Sequence, residues 1–344
     1  MGKLVEAKDL RASKRTDLSE VVPLPAPYVM YIEPTNLCNF KCAFCPTGDK
    51  KLLKRVGRPS GMMEMKLFKK IVDETKELRT KIKIVNLYKD GEPLLHPEFP
   101  EMVHYLKESA IAEKIYAKTN GSLLNPELNQ KLADSGLNWL GISVESTSSD
   151  GYKEISGVQL DYDLFKENLA DLYSKTRKNN MQIYIKIVDN HLTVGEKQKF
   201  FDDFSRICDF YAIENLMGWS YSSVKDFTLG IKPELSMDGS NLVEKIVCPL
   251  PFYSLAINFN GSVSICCSDW SHSTVIGNLR ENSMYEIWHG KPLFDFRKMH
   301  LQGRRCENQA CGDCYFLKTV SENIDKDKEI ILKNIESDFT AKAQ

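Results

Sequence analysis

The chain has 344 residues, 42% hydrophobic and 27% charged, with a formal net charge of −1, which is length enough for one large domain and a smaller one with buried cores. That charge offers no overall basic field for a nucleic acid, no apolar run approaches the roughly 18 residues of a membrane span, and the start, MGKLVEAKDLRASKR, has no signal-like apolar stretch. The expectation is a cytoplasmic protein with neither nucleic acid nor membrane as partner, and its ten cysteines, grouped at 38/42/45 and 248/266/267/306/311/314 with Cys208 alone, suit metal binding better than a disulfide framework.

Residues 1–24 read as a polar arm leading into Pro23, Pro25 and Pro27. An apolar strand-like run, 28–32, comes next, and then a loop marked by Pro34, Asn36, Asn39 and Pro46 that carries Cys38, Cys42 and Cys45. Three thiols at i, i+4 and i+7 can converge on one inorganic site and hold three irons of a [4Fe-4S] cluster, leaving the fourth iron open to a small molecule. The same spacing is one face of a helix with packed cysteines, but the loop residues argue against a helix. A structural zinc would want a fourth ligand close by, and no His or Cys follows until His96. The basic segment 50–58 could contact an anionic substrate or be a solvated, mobile loop.

From residue 64 the pattern alternates. Helices are predicted over 65–78, 98–109, 125–135, 162–179 and 196–208, and strands over 83–88, 114–118, 139–144, 182–188 and 210–216. Repeated βα units imply an α/β fold with a parallel sheet and helices outside, and ligands bind at the carboxyl ends of such strands. Asp90-Gly91-Glu92-Pro93, Thr119-Asn120-Gly121, Ser143, Glu145 and Lys186 all lie at or near those ends. Lys186, in an otherwise apolar run, needs a partner or a ligand.

Residues 219–245, with Ser222, Ser223, Gly230, Pro233 and Gly239, read as a linker. Beyond it, over 246–318, Cys248, Gly261 and Cys266 stand in a C-x12-G-x4-C pattern, and a hairpin with Asn260-Gly261 at its tip, returning over 262–266, brings its ends together. Cys306, Cys311 and Cys314 add a compact thiol group. Iron–sulfur and four-cysteine zinc sites share these ligands. Cys267, beside Cys266 on a strand, is expected to point to the opposite face, as packing or as a thiol facing the substrate. Trp270, Tyr285, Trp288 and Phe294 are expected to pack the small domain. His272, His289 and His300 show no mutual ligand spacing and read as surface or core residues. The tail from residue 323 reads as a solvated helix.

The CxxxCxxC motif with Phe44 before its last cysteine resembles the signature of the radical S-adenosylmethionine (SAM) enzymes. The resemblance implies a partial (β/α)6 TIM-like barrel over 25–218, with Cys38, Cys42 and Cys45 holding a [4Fe-4S] cluster whose open iron binds SAM. Its reductive cleavage would give a 5′-deoxyadenosyl radical that removes hydrogen from substrate. By the same resemblance Phe44, Gly91, Glu92, Asn120, Ser143, Glu145 and Lys186 would meet SAM, with Asp90 standing where the family has a glycine. The C-terminal cysteines resemble the SPASM/Twitch extension, a small α+β domain with auxiliary clusters, in which 276–288 would be the linker helix. One auxiliary [4Fe-4S] cluster on Cys248, Cys266, Cys311 and Cys314 is implied, with Cys306 able to replace one ligand.

The function expected is hydrogen abstraction from a polar small molecule, such as a sugar, aminocyclitol or nucleotide-linked sugar, followed by oxidation with the auxiliary cluster as electron acceptor. An external one-electron reductant such as flavodoxin or ferredoxin would feed it, and Arg55, Arg58, Arg304 and Arg305 are candidate phosphate contacts. The rivals are epimerisation with Cys267 or Cys306 as hydrogen donor, maturation of a ribosomal peptide, and a non-catalytic Fe–S or zinc protein.

Overall fold

The computed structural model describes residues 2–4, 16–232, 234–235, 241–320 and 322–343. Residues 5–15 of the arm and Pro233 and Gly239 of the linker lie outside them. The strands are β1 (Lys3–Leu4), β2 (Val29–Ile32), β3 (Ile82–Asn86), β4 (Ala112–Thr119), β5 (Trp139–Val144), β6 (Gln182–Asp189), β7 (Phe210–Asn215), β8 (Ser254–Ile257), β9 (Ser262–Ser264) and β10 (Val275–Asn278). Among the described residues they form one sheet in the order β1-β7-β6-β5-β4-β3-β2-β8-β9-β10.

Strands β2 to β7 are parallel, each paired with the next in sequence. Helices Met65–Thr75, Phe99–Ser109, Pro126–Asp134, Tyr162–Thr176 and Val194–Phe204 return the chain between them, as parallel crossovers require. This is the partial TIM-like barrel expected. Strand alternation divides it into two faces. Ile183, Ile185 and Ile187 of β6 join the main hydrophobic core with Leu140 and Ile142 of β5 and the helix residues Phe165 and Leu169. Tyr184 belongs to a separate cluster with Ala212, Trp139 and Phe210. The second face therefore lines the lumen with aromatic and polar side chains: Trp139 stacks on Tyr184 at 5.3 Å and lies 5.4 Å from Tyr116.

The C-terminal segment continues the barrel sheet. β8 lies parallel to β2, with Val29 opposite Ser254 and Met30 opposite Leu255, and β9 and β10 add antiparallel strands beyond it. Where a linker helix was expected from residue 276, Val275–Asn278 is a strand, and the helix is only Met284–His289. Ser283 and Glu286 set its start with a reciprocal capping box. The tail helix Lys328–Ala343 is docked rather than wholly solvated: Ile331 and Ile335 are buried, and Phe339 stacks on Phe294 at 4.1 Å. Trp270 and Trp288 are fully buried, as expected of packing residues, whereas Tyr285 is exposed.

The basic segment is also ordered. Asp49 caps a helix, Lys50–Arg55, by accepting the Leu52 N–H at 2.9 Å. Its Leu52 and Leu53 pack on Trp270 and Phe227, with linker residues Trp219 and Tyr221 at the margin. Burying two leucines in a second, smaller core is what holds this helix and the described part of the linker down.

Candidate active site and auxiliary metal centre

The cysteine loop leaves the carboxyl end of β2 and is tied to three neighbours. Lys41 N–H donates to the Ser156 carbonyl at 2.8 Å and Ala43 N–H to the Ile155 carbonyl at 2.9 Å, at the end of helix Ser149–Ser156. Asn39 donates to Ser122 Oγ at 2.8 Å and accepts from Asn120 Nδ2 at 2.9 Å. Trp219 Nε1 donates to the Phe44 carbonyl at 3.0 Å. Cys38, Cys42 and Cys45 are free thiols. Burial pushes Cys38 up to about 12 and raises Cys42 and Cys45, and charge on Glu145 and on the neighbouring cysteines adds to the rise. Three soft, half-buried sulfurs close enough to repel as thiolates fit iron, whose charge would draw the protons off.

Glu92 organises the wall beside this loop. Buried, it accepts Thr119 Oγ1 at 2.6 Å and Leu94 N–H at 2.9 Å on one oxygen, and Asn120 N–H at 2.6 Å on the other. Burial pushes its carboxyl up to about 7 against those bonds. Gly91, at φ +84°, lets its backbone approach the cysteine loop: a Cβ there would sit 2.5 Å from the Leu37 carbonyl oxygen. Glu92 N–H donates to that same carbonyl at 2.8 Å. Ser143 and Lys186 are register partners on β5 and β6, and Lys186 Nζ pairs with Glu214 at 2.9 Å. Glu214 also accepts the Tyr184 hydroxyl at 2.9 Å. Glu145 is buried and pushed up to about 7, with Lys186 the charge that opposes the rise. The SAM candidates thus fall around the cysteine loop and the adjoining lumen. Glu214 was missed because a carboxylate at a strand end carries no local signal; only the pairing of β6 with β7, which sets Lys186 opposite Ala212 and Glu214 opposite Val188, brings the two charges diagonally together.

Asp90 belongs to a buried charge cluster between the barrel mouth and the C-terminal segment. It pairs with Lys89 at 2.6 Å and Arg58 at 3.8 Å, and its N–H donates to Glu33 at 3.2 Å. Burial drives the Glu33 carboxyl up to about 7, although Lys89 and Arg58 pull it down. Lys89 also donates to the Asp269 carbonyl at 2.9 Å, and Arg58 to the Trp270 carbonyl at 3.2 Å and the Asn36 carbonyl at 3.1 Å. Ligating atoms of Glu33, Asp90 and His272 lie within 4.8 Å of one another, but Lys89 and Arg58 already supply positive charge there, so the cluster is a clamp between the two parts. Arg58 is thus held by protein groups. Arg304 pairs with Glu307 at 2.6 Å, Arg305 donates to the carbonyls of Cys311 and Gly312, and Arg55 is exposed. These four arginines are not gathered into one anion site.

Cys248, Cys266, Cys311 and Cys314 line a single cavity, and each thiol is raised by burial, Cys314 to about 12; contact between the Cys266 and Cys267 side chains is the larger cause at Cys266. The four repel one another as thiolates, which fits them to a cationic metal centre. Cys306 is exposed and is not among the residues lining this cavity. The strand expected to run to Cys266 ends at Ser264, and Cys266 and Cys267 lie in the turn that follows. They therefore do not alternate across a sheet. The Cys267 thiol interacts with the Cys266 thiol, which lowers it, and with the Tyr31 hydroxyl and the Lys89 ammonium. Tyr31, on β2, meets Tyr88 edge to face at 5.8 Å.

Comparison with known proteins places this geometry. Residues 32–192 match the Radical SAM superfamily, and residues 248–315 match an iron–sulfur cluster-binding domain, SPASM. The chain is 30% identical over 137 residues to GTP 3′,8-cyclase of Vibrio atlanticus, covering 38% of this chain and 37% of the cyclase. The match thus spans well under half of that relative. It is 22% identical over 361 residues to Fe-coproporphyrin III synthase of Methanosarcina barkeri, covering 89% of this chain and 85% of the synthase. Two solved structures share the fold. Streptococcus suis SuiB bound to precursor peptide SuiA gives a TM-score of 0.63 at 16% identity, covering 89% of this chain and 73% of SuiB. BtrN in complex with AdoMet and 2-DOIA gives 0.57 at 18%, covering 87% of this chain and 97% of BtrN. The chain belongs to the radical SAM enzymes that carry a C-terminal SPASM domain, with SAM, a [4Fe-4S] cluster and auxiliary iron–sulfur as its cofactors.

Proposed function

We propose that the chain oxidises a polar small molecule, of the sugar, aminocyclitol or nucleotide-linked sugar class, at a hydroxyl-bearing carbon. Cys38, Cys42 and Cys45 would hold the SAM-binding cluster, and Cys248, Cys266, Cys311 and Cys314 the auxiliary one. The bound groups supply a hydrogen-abstracting 5′-deoxyadenosyl radical and a one-electron acceptor. The substrate carbon would lose a hydrogen atom, its hydroxyl a proton to a base in the lumen, and the remaining electron would go to the auxiliary centre, leaving a carbonyl.

The observation that carries this reading is the turn at Cys266–Asp269. Cys266 and Asp269 line the auxiliary cavity, while Cys267 reaches Tyr31 of the barrel, and Lys89 at the barrel mouth bonds the Asp269 carbonyl. An acceptor on one side of a single turn and a substrate on the other makes a short electron path. The lumen is also polar enough for a hydroxylated ligand: it carries Tyr31 and Tyr88, Lys118, and the Tyr184–Glu214–Lys186 network. An external one-electron reductant, a flavodoxin or ferredoxin, fits this cycle.

The placement of Cys267 favours epimerisation as the second reading, with its thiol returning a hydrogen atom. Anaerobic turnover in D2O on a panel of sugars and aminocyclitols separates the two. A carbonyl product formed with stoichiometric 5′-deoxyadenosine supports oxidation. Solvent deuterium on carbon without net oxidation, lost on Cys267→Ala, supports epimerisation. Turnover of peptides alone would contradict both.

A further inference from the structure

His300 lies on the helix Lys291–Leu301 and is 1% exposed. Both ring nitrogens are buried and without a hydrogen-bond partner among the described residues. Leaving an imidazole N–H dry and unpaired forfeits the hydrogen bond it had in water, so such a group calls for an explanation. His300 lines the same cavity as Cys248, Cys266, Cys311 and Cys314.

The other polar side chains on that cavity are accounted for. Ser220 Oγ donates to the Ser268 carbonyl at 2.5 Å, and Ser268 Oγ lies 3.1 Å from Cys266 Sγ. The Asp269 carboxylate accepts from Ser271 Oγ at 2.9 Å, Ser273 N–H at 3.0 Å, and Thr274 Oγ1 and N–H at 2.7 and 2.8 Å. Arg305 donates to the carbonyls of Cys311 and Gly312. Among the described residues, His300 is left as the polar lining side chain without a hydrogen bond. Its flat face is stacked on Phe296, with ring centroids 5.0 Å apart, which fixes the ring plane and leaves its edge for a partner.

We infer that His300 donates an N–H hydrogen bond to an inorganic sulfide of the auxiliary iron–sulfur centre, and thereby sets the potential at which that centre accepts an electron. The inference rests on the four-cysteine reading of that centre. An imidazole carries an N–H whether neutral or cationic, and four cysteines complete the coordination of a [4Fe-4S] cluster, so the histidine acts as a donor and not as a ligand. A hydrogen bond to sulfur stabilises the more negative, reduced cluster and raises its potential. His300 is therefore a positioning and tuning residue, which acts through the centre at the four-cysteine cavity.

The test uses the full chain with Cys38, Cys42 and Cys45 all replaced by Ala, so that one centre reports. His300→Leu and His300→Gln are made in that background. Iron and sulfide are counted, the midpoint potential is read by redox titration followed by EPR, and nitrogen couplings are read by pulsed EPR of the reduced protein that keeps His300. Expected are equal iron in all three proteins, a more negative potential for Leu, and partial recovery for Gln, which keeps an N–H. A weak histidine nitrogen coupling in the protein with His300 is expected too, and this readout stands even if Leu fails to fold. Loaded iron with unchanged potential, no nitrogen coupling, or a coupling strong enough for direct ligation would overturn the role of His300. A triple-Ala protein holding no iron would overturn the auxiliary-cluster reading itself and this role with it.

Discussion

Glu92, from the loop after β3, accepts the N–H of Asn120, from the turn after β4, at 2.6 Å, and the Asn120 side chain in turn holds Asn39 of the cysteine loop at 2.9 Å. Two strand ends and the cysteine loop are thus set by one buried carboxylate. Its two oxygens are filled by three donors. Glu92→Gln replaces one oxygen with an NH2 that must face a donor. It is expected to cost about 1–3 kcal/mol of stability and to lower iron loading at the first site while the auxiliary site still fills. Denaturant melts and iron counts check this; unchanged values for both would contradict it.

Gly91→Ala is expected to be more disruptive than its size suggests. The new Cβ would meet the Leu37 carbonyl oxygen at 2.5 Å, at φ +84°, so both the backbone strain and the clash fall on the segment leading to Cys38. A stability loss of roughly 1–3 kcal/mol with a weakened first cluster is predicted. Gly57→Ala, also at positive φ but with open space around it, is the control that separates strain from collision.

Lys186 and Glu214 form the lumen ion pair. If Lys186 receives the SAM carboxylate, Lys186→Met lowers SAM affinity about tenfold or more, roughly 1.4 kcal/mol, with the iron content kept. Equilibrium dialysis against the loaded protein measures this. Unchanged affinity would leave the lysine with a structural role only.

The buried Glu33 makes stability fall as pH rises. Its folded carboxyl is pushed up to about 7 from an ordinary 4.5, so its contribution is fully present below about 4.5 and is lost as pH climbs toward 7. Cluster-free protein should lose on the order of 1–3 kcal/mol from this group across that window. In Glu33→Gln, which stays neutral, the pH dependence should flatten. Thermal melts at pH 5 and 7.5 on both proteins read the difference, and parallel curves would contradict it.

The barrel was legible in the sequence because its signals are local: apolar alternation at 139–144 and helix periods between strands fall within a few residues of the observed bounds. The cysteine spacing was equally local. What was not legible depends on distant pairing. Lys50–Arg55 reads as a charged run, since only packing against Trp270 and Phe227 gives Leu52 and Leu53 an interior. Nothing in the sequence around Cys266 and Cys267 signals that β9 stops at Ser264, short of both cysteines. His300 offered no metal spacing, and its place at the four-cysteine cavity arises only when helix Lys291–Leu301 folds against that site.

The most direct test is the iron and sulfide content of anaerobically reconstituted protein, comparing wild type, the Cys38/Cys42/Cys45 triple Ala variant, and that variant with Cys306→Ala added. Two [4Fe-4S] sites, the second on Cys248, Cys266, Cys311 and Cys314, predict about eight irons falling to about four, with no further loss when Cys306 is removed. Zinc in place of iron in the triple variant, or loss of the remaining iron with Cys306, would contradict the account.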